Sequence, residues 1–238
     1  MTRFTSTPRL YLDVPLTAGA EVSASSDQAH YLGGVLRRVT GDPVRVFNSR
    51  DGEWMARLGV ARKGRATLHV AECLRPSEPE PGPWLVFALL KRDATDLVIR
   101  QATELGACRV LPVITARTNA ARVNEDRLRA IAIEAAEQCE RLTIPEIAPV
   151  GRLDQCLSGW PSGRRLFAAF ERSGLRAGLP QAMESEAALL IGPEGGFTPE
   201  EISGLRAMAF ITPVSLGLLV LRAETAAIAG LSLLLARG

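Results

Sequence analysis

The run Ala187-Ala188-Leu189-Leu190-Ile191-Gly192-Pro193-Glu194-Gly195-Gly196-Phe197-Thr198-Pro199-Glu200-Glu201 reads as strand, loop and helix in immediate succession. Five unbroken apolar residues suit a strand covered on both faces, as strands of a parallel sheet are. Thr198 is placed to cap a helix, Pro199 fits its first position, where a missing N–H costs nothing, and Glu201 closes a capping box. The three glycines between let backbone approach a ligand closely, and open α/β sheets bind ligands at such strand ends. The loop lacks the Gly-Lys-Ser/Thr of a phosphate loop and the Gly-x-Gly-x-x-Gly of a dinucleotide fold. A tight turn without a ligand explains the glycines equally well.

Working outward, the same strand and helix alternation continues on both sides. Residues 84–90 and 109–113 are further buried strands, and a helix over 96–105 ends at Gly106. Asn124 or Asp126 caps a longer helix whose Leu128, Ile131, Ala135 and Cys139 form an apolar stripe, with Glu137 spaced to pair Arg141. Strands follow at 165–170 and 187–191, and an apolar helix closes the sequence. This half is an α/β domain. A second loop, Ser215-Leu216-Gly217 leading to Leu221-Arg222-Ala223-Glu224-Thr225-Ala226, sets a charged pair into apolar chain. Arg222 and Glu224 must reach solvent, each other or a ligand. They serve equally well as the start of the last helix, with Glu224 at its positive end.

The segment Arg75-Pro76-Ser77-Glu78-Pro79-Glu80-Pro81-Gly82-Pro83 has four prolines in nine residues and reads as a stiff linker between domains at 1–75 and 84–238. Ahead of it, strands at 44–47, 53–58 and 66–70, joined by turns at 48–52 and 62–65, predict a small β-barrel. A helix over 27–39, capped by Ser25, Ser26 or Asp27, buries Leu32, Val35 and Leu36. Residues 1–75 hold 11 Lys or Arg against 7 Asp or Glu, and the remainder 17 against 19, so the positive excess lies in front. Such asymmetry fits nucleic-acid contact and fits an ordinary solvated surface as well.

With 47% hydrophobic and 23% charged residues, the 238-residue chain has the composition of a folded protein, not a disordered one. The apolar stretch 216–236 is interrupted by Arg222 and Glu224, too early for a membrane span, and residues 1–9 show no apolar leader, so a cytoplasmic location is expected. Four cysteines at 73, 108, 139 and 156 and only two histidines match no metal-site spacing, and no metal is expected.

Taken together, Gly192-Pro193-Glu194-Gly195-Gly196-Phe197, Ser215-Leu216-Gly217 and Leu221-Arg222-Ala223-Glu224-Thr225-Ala226 resemble the paired signature of the ribosomal RNA small subunit methyltransferase E family. His30-Tyr31-Leu32, Val35-Leu36-Arg37, Gly41-Asp42, Ala102-Thr103-Glu104-Leu105-Gly106, Glu137-Gln138 with Arg141, and Ile144-Pro145-Glu146 extend the resemblance over most of the chain. Leu219 departs from it, where an arginine is common, as does Ala223, where threonine is frequent.

The resemblance implies a trefoil-knotted (SPOUT) α/β domain behind a PUA-like β-barrel, a homodimer, and methyl transfer from S-adenosylmethionine to N3 of one uridine in 16S ribosomal RNA of the small subunit. Expected around the cofactor are Leu190, Gly192, Pro193, Glu194, Gly195, Gly196, Ser215, Leu216, Gly217, Leu221 and Arg222. Arg222 is the expected stabiliser of developing negative charge, and Glu194 or Glu224 the proton acceptor. Arg9, Arg37, Arg38, Lys91 and Arg141 are the expected RNA contacts. A non-catalytic dimeric RNA-binding protein is the alternative, and a nucleotide-phosphate enzyme using the helix after Gly196 a third reading.

Overall fold

The computed structural model describes residues 7–62, 64–119, 122–170 and 187–235. Met1 to Ser6 of the expected leaderless terminus, Lys63 of the second expected turn and Ala236 lie outside them. The chain divides into two compact units, residues up to Pro79 with Ala136–Thr143, and Glu80–Ala135 with Ile144 onward.

In the first unit β1 (Arg9–Tyr11), β2 (Glu21–Ala24), β3 (Pro43–Asn48), β4 (Gly52–Arg62) and β5 (Arg65–Arg75) form one sheet in the order β1-β3-β4-β5-β2. β1 runs parallel to β3 and the other neighbours are antiparallel. Alternate side chains, among them Leu10, Val44, Val46, Ala56, Leu58, Leu68 and Val70, build its core. Three register shifts between β4 and β5 coil this long ribbon. Among the described residues the sheet stays open, with no pairing from β1 to β2, so a closed barrel is not what these strands show.

The expected helix over 27–39 is shorter. Ser25 caps α1 (Ser26–His30) through a capping box with Gln28, after which Tyr31–Val35 widens into a π-helical turn and stops. Gly33 and Gly34, poor helix formers, lie within that turn. Leu32 alone of the predicted buried trio is fully buried, while Val35 is exposed.

In the second unit β6 (Trp84–Ala88), β7 (Arg109–Ile114), β8 (Glu146–Ile147), β10 (Leu166–Ala169), β11 (Ala188–Ile191) and β12 (Ile211–Val214) form a parallel sheet in the order β12-β10-β11-β6-β7-β8, with β9 (Gly151–Arg152) also on β7. The apolar runs are double-sided. Leu85, Phe87, Leu189 and Ile191 join one core with residues of α2 (Arg92–Glu104), α3 (Glu125–Cys139) and α6 (Ala223–Leu235). Val86, Ala188 and Leu190 join the other with α4 (Leu153–Ser158) and α5 (Pro199–Arg206). β11 lies between β10 and β6, so a late segment of chain takes a central place in the sheet.

α2 begins four residues before the expected start. Its N-cap, Lys91, makes no side-chain capping bond, which is why no start signal was readable there. Asn124 does cap α3, accepting from the Arg127 N–H. None of the described helices is long and apolar enough to cross a membrane, and no group of three or more described His, Cys, Asp or Glu side chains is placed to hold a metal.

Candidate active site

Both glycine-bearing loops start at the C-terminal ends of β11 and β12, the two strands that flank β10 in the second unit, and they line one cleft of about 950 Å³. That size is in the range of ~300–1,000 Å³ usual for small-molecule sites. Ala169 and Phe170 at the end of β10, Ile191 to Phe197 after β11, Ser215 to Leu221 after β12, and Arg222 with the first turn of α6 form its walls.

The first loop is held by its own backbone. The Gly196 N–H donates to Pro193 O at 2.8 Å, and Gly196 has φ +67. Phe197 turns back beneath it, meeting Phe170 edge-on at 5.9 Å, and a Cβ at Gly192 would come within 2.9 Å of the Phe197 ring. A side chain at position 192 would therefore push the loop off its support. At Gly195 a Cβ meets only the Arg117 side chain at 3.5 Å, so a larger residue there fills the cleft without straining the loop. Thr198 caps α5 as expected, accepting from the Glu201 N–H at 3.2 Å while Glu201 Oε2 accepts from the Thr198 N–H at 2.8 Å. In the second loop the Gly217 N–H donates to Ser215 Oγ at 3.3 Å, with Gly217 at φ +129, a conformation few other residues adopt.

Arg222 and Glu194 are exposed in this cleft, and neither side chain has a hydrogen bond or ion pair among the described residues. Arg222 precedes α6, its carbonyl accepting from the Ala226 N–H. Glu224 is elsewhere. It sits in the first turn of α6, where a carboxylate favours the helix dipole, and lines a separate depression of about 510 Å³ with Lys91, Arg92 and Asp93. Leu190 is fully buried, because alternation along β11 turns it into the α5-side core. It is not among the residues that line the cleft.

One charged lining residue went unread in the sequence. Arg117 follows β7, and its Nη1–H donates to Gly195 O at 2.9 Å. No capping, glycine or apolar pattern marks it; only the spacing of strand ends in a parallel sheet could have pointed there. Glu200, beside this loop, has its carboxyl held below the ordinary range, first by its own backbone N–H, then by Thr198, with a smaller contribution from Arg117.

The expected RNA contacts divide sharply. Arg37 and Lys91 are exposed and Arg38 is partly so. Arg9 is 6% exposed and turned inward: its Nε–H donates to Glu53 Oε1 at 2.6 Å, its Nη groups to the carbonyls of Ala136 and Arg141 at 2.7 Å each, and its guanidinium lies 3.5 Å from the Phe47 ring centre. Burial pulls its pKa below the ordinary arginine value, and Glu53 opposes that only in part. An arginine so enclosed holds protein together and cannot reach a phosphate. Arg141 is half-buried and donates to Thr143 Oγ1 at 2.7 Å.

Comparison with known proteins places this geometry. Residues 78–235 match the RNA methyltransferase domain family. A ribosomal RNA small subunit methyltransferase E of Rickettsia conorii is 34% identical over 229 residues, covering 94% of this chain and 93% of that protein. Among solved structures, a ribosomal RNA small subunit methyltransferase E of Neisseria gonorrhoeae, bound to S-adenosyl methionine, superposes with a TM-score of 0.83 at 28% identity over 95% of each chain. A Legionella pneumophila protein, with the cofactor SAM bound, gives 0.81 at 29% over 96% of each. By its length of match and its identity, the chain belongs to the ribosomal RNA small subunit methyltransferase E family.

Proposed function

We propose that this protein methylates small-subunit ribosomal RNA with S-adenosylmethionine, at N3 of a uridine in the 16S molecule. One observation carries the reading: the two loops of the family signature, separated in sequence, line a single cleft whose free charged side chains include Arg222 and Glu194. The cleft fits the cofactor, since glycines at 192, 195, 196 and 217 keep its backbone open and its volume suffices. Backbone of residues 192–196 and 215–217, with Pro193 and Leu221, would hold it. When bound, it supplies an electrophilic methyl group.

The protein's own task is the uridine. N3 carries a proton and is a weak nucleophile until that proton leaves. Glu194, with no partner of its own, accepts the proton, directly or through one water, and Arg222 stabilises the negative charge that spreads to the ring oxygens. Charge stabilisation of this kind is worth ~3 kcal/mol per donor in a water-poor site. In this reading the second unit is the trefoil-knotted SPOUT domain, with β11 the inserted strand, and the chain works as a homodimer. The first unit is the PUA-like RNA-binding element, and Arg37, Arg38 and Lys91 meet phosphates. Its setting is the cytoplasm, where ribosomes assemble.

The test is calorimetry with S-adenosylmethionine, followed by nucleoside mass analysis of 16S RNA incubated with protein and cofactor. Binding and a new N3-methyluridine support the reading. Absence of cofactor binding sinks it and favours a non-catalytic RNA-binding protein, whereas methylation of another atom overturns only the N3 assignment.

A further inference from the structure

Arg117 is an exposed arginine on the cleft wall, and the turn carrying it is fixed from both sides. Within the turn, the Thr115 N–H donates to Thr118 Oγ1 at 2.9 Å, the two hydroxyls lie 2.9 Å apart, and the Thr118 N–H donates to Thr115 O at 3.2 Å. Across to α5, the Ala116 N–H donates to Glu201 Oε1 at 2.8 Å. Glu201 is thus shared: one oxygen closes the capping box beneath the glycine loop, and the other anchors the turn that presents Arg117.

That anchoring makes a purely structural role for Arg117 redundant. The turn is already tied to the loop and helix through Glu201, while Arg117 spends a single Nη1–H on Gly195 O. A guanidinium has five N–H donors, and the others have no hydrogen-bonded partner among the described residues. Arg117 is the smallest of the influences that lower the Glu200 carboxyl, and no ion pair joins the two among the described residues. A fork held at one corner, on an exposed residue that lines an open cleft, is the arrangement that takes a phosphate through two oxygens. Leu218, Leu219 and Val220, which line the same cleft, are apolar and exposed, so they offer an RNA backbone no charge.

We infer that Arg117 binds a backbone phosphate of the RNA beside the target nucleotide and so positions that nucleotide against the methyl donor. This deepens the methyltransferase reading and rests on it. Arg117 is a positioning residue; the bond to Gly195 O orients its fork, and the phosphate completes it.

The experiment compares wild type with Arg117→Gln, Arg117→Lys and, as a control of equal charge loss at an exposed position of α2, Arg100→Gln. Affinity for S-adenosylmethionine is measured by calorimetry, and KM and kcat for small-subunit RNA at several salt concentrations. Loss of one charge-assisted contact predicts a KM for RNA raised roughly tenfold to a hundredfold in Arg117→Gln. The slope of log KM against log salt falls by about 0.7–0.9. Cofactor affinity and kcat at saturating RNA stay within a factor of about three, Arg117→Lys recovers part of the salt slope, and Arg100→Gln changes neither KM nor slope. Cofactor affinity falling in step with activity overturns the inference and makes Arg117 a loop clamp. An unchanged KM, or an equal effect in Arg100→Gln, overturns it too. A wild-type protein that binds cofactor but methylates no RNA removes the underlying reading instead, and that result is visible before any variant is made.

Discussion

In the first unit Arg9 and Arg45 turn inward to Glu53, which is 2% exposed, and the partly exposed Arg75 reaches it too, whereas in the second unit Arg117 and Arg222 face an open cleft. The two sets are chemically identical. What separates them is whether carboxylates and carbonyls already occupy the guanidinium donors. Arg9 uses Glu53 and two carbonyls at the end of α3, and Arg45 reaches Glu140 Oε1 at 2.6 Å while Arg75 reaches Glu140 O at 2.7 Å. These bonds, with the Tyr11 N–H to Glu137 Oε1 at 2.9 Å, gather residues 136–143 into the first unit, although they follow the linker in sequence. An arginine whose donors are taken is architecture, and one whose donors are free is available to substrate.

Removing the shared carboxylate should break the contrast most severely. Glu53→Ala leaves the buried Arg9 and Arg45 facing each other without their carboxylate, with the partly exposed Arg75 beside them, and removing one partner of such a buried pair costs about 3–5 kcal/mol. Chemical denaturation should show that loss, with the cofactor affinity of the folded fraction unchanged; a loss below 1 kcal/mol would mean that the network is not what holds residues 136–143. Next comes Arg222→Ala, expected to raise the barrier by about 3 kcal/mol, a drop in kcat of at least a hundredfold, with unfolding midpoint and cofactor affinity little changed. Equal losses of affinity and rate would put Arg222 with the binding or structural residues.

Arg9→Lys sharpens the comparison because it keeps the charge. Lysine cannot serve Glu53 and two carbonyls with a planar fork, so a loss of about 1.5–3 kcal/mol in stability is expected, measured by thermal unfolding. A neutral outcome would show that charge alone suffices there. The smallest effect concerns acid. Arg45 holds the Glu140 carboxyl below its ordinary value, so in the folded state it stays ionised to lower pH than in the unfolded chain. Its contribution is therefore present above the ordinary glutamate value of 4.5 and is lost as pH falls through the lowered folded value. Because Glu140 is half exposed, solvent screens the effect. Glu140→Gln should flatten the acid limb of the stability profile slightly, and an unaltered limb would assign that slope to other carboxylates.

Local signals were the legible part. The 188–191 strand, the Thr198 capping box and the two glycine loops each depend on neighbours within a few residues, and the structure shows each of them. The start of α2 was illegible because Lys91 caps nothing with its side chain, and the end of α1 because glycine weakens a helix without naming the stop. Glu194 and Glu224 look alike in sequence, yet Glu194 lines the cleft and Glu224, in the first turn of α6, lines a separate depression with Lys91.

By itself the sequence determined the family, the double-sided parallel sheet and the loops that carry the chemistry, because apolar period and capping are written in consecutive residues. Tertiary structure alone decided that Arg9 is architecture and that Arg117 joins the cleft. Arg9 meets partners 44 and 127 positions away and Arg117 meets one 78 away. The use of a charged side chain depends on which distant acceptors the fold brings to it, and desolvation makes that outcome decisive.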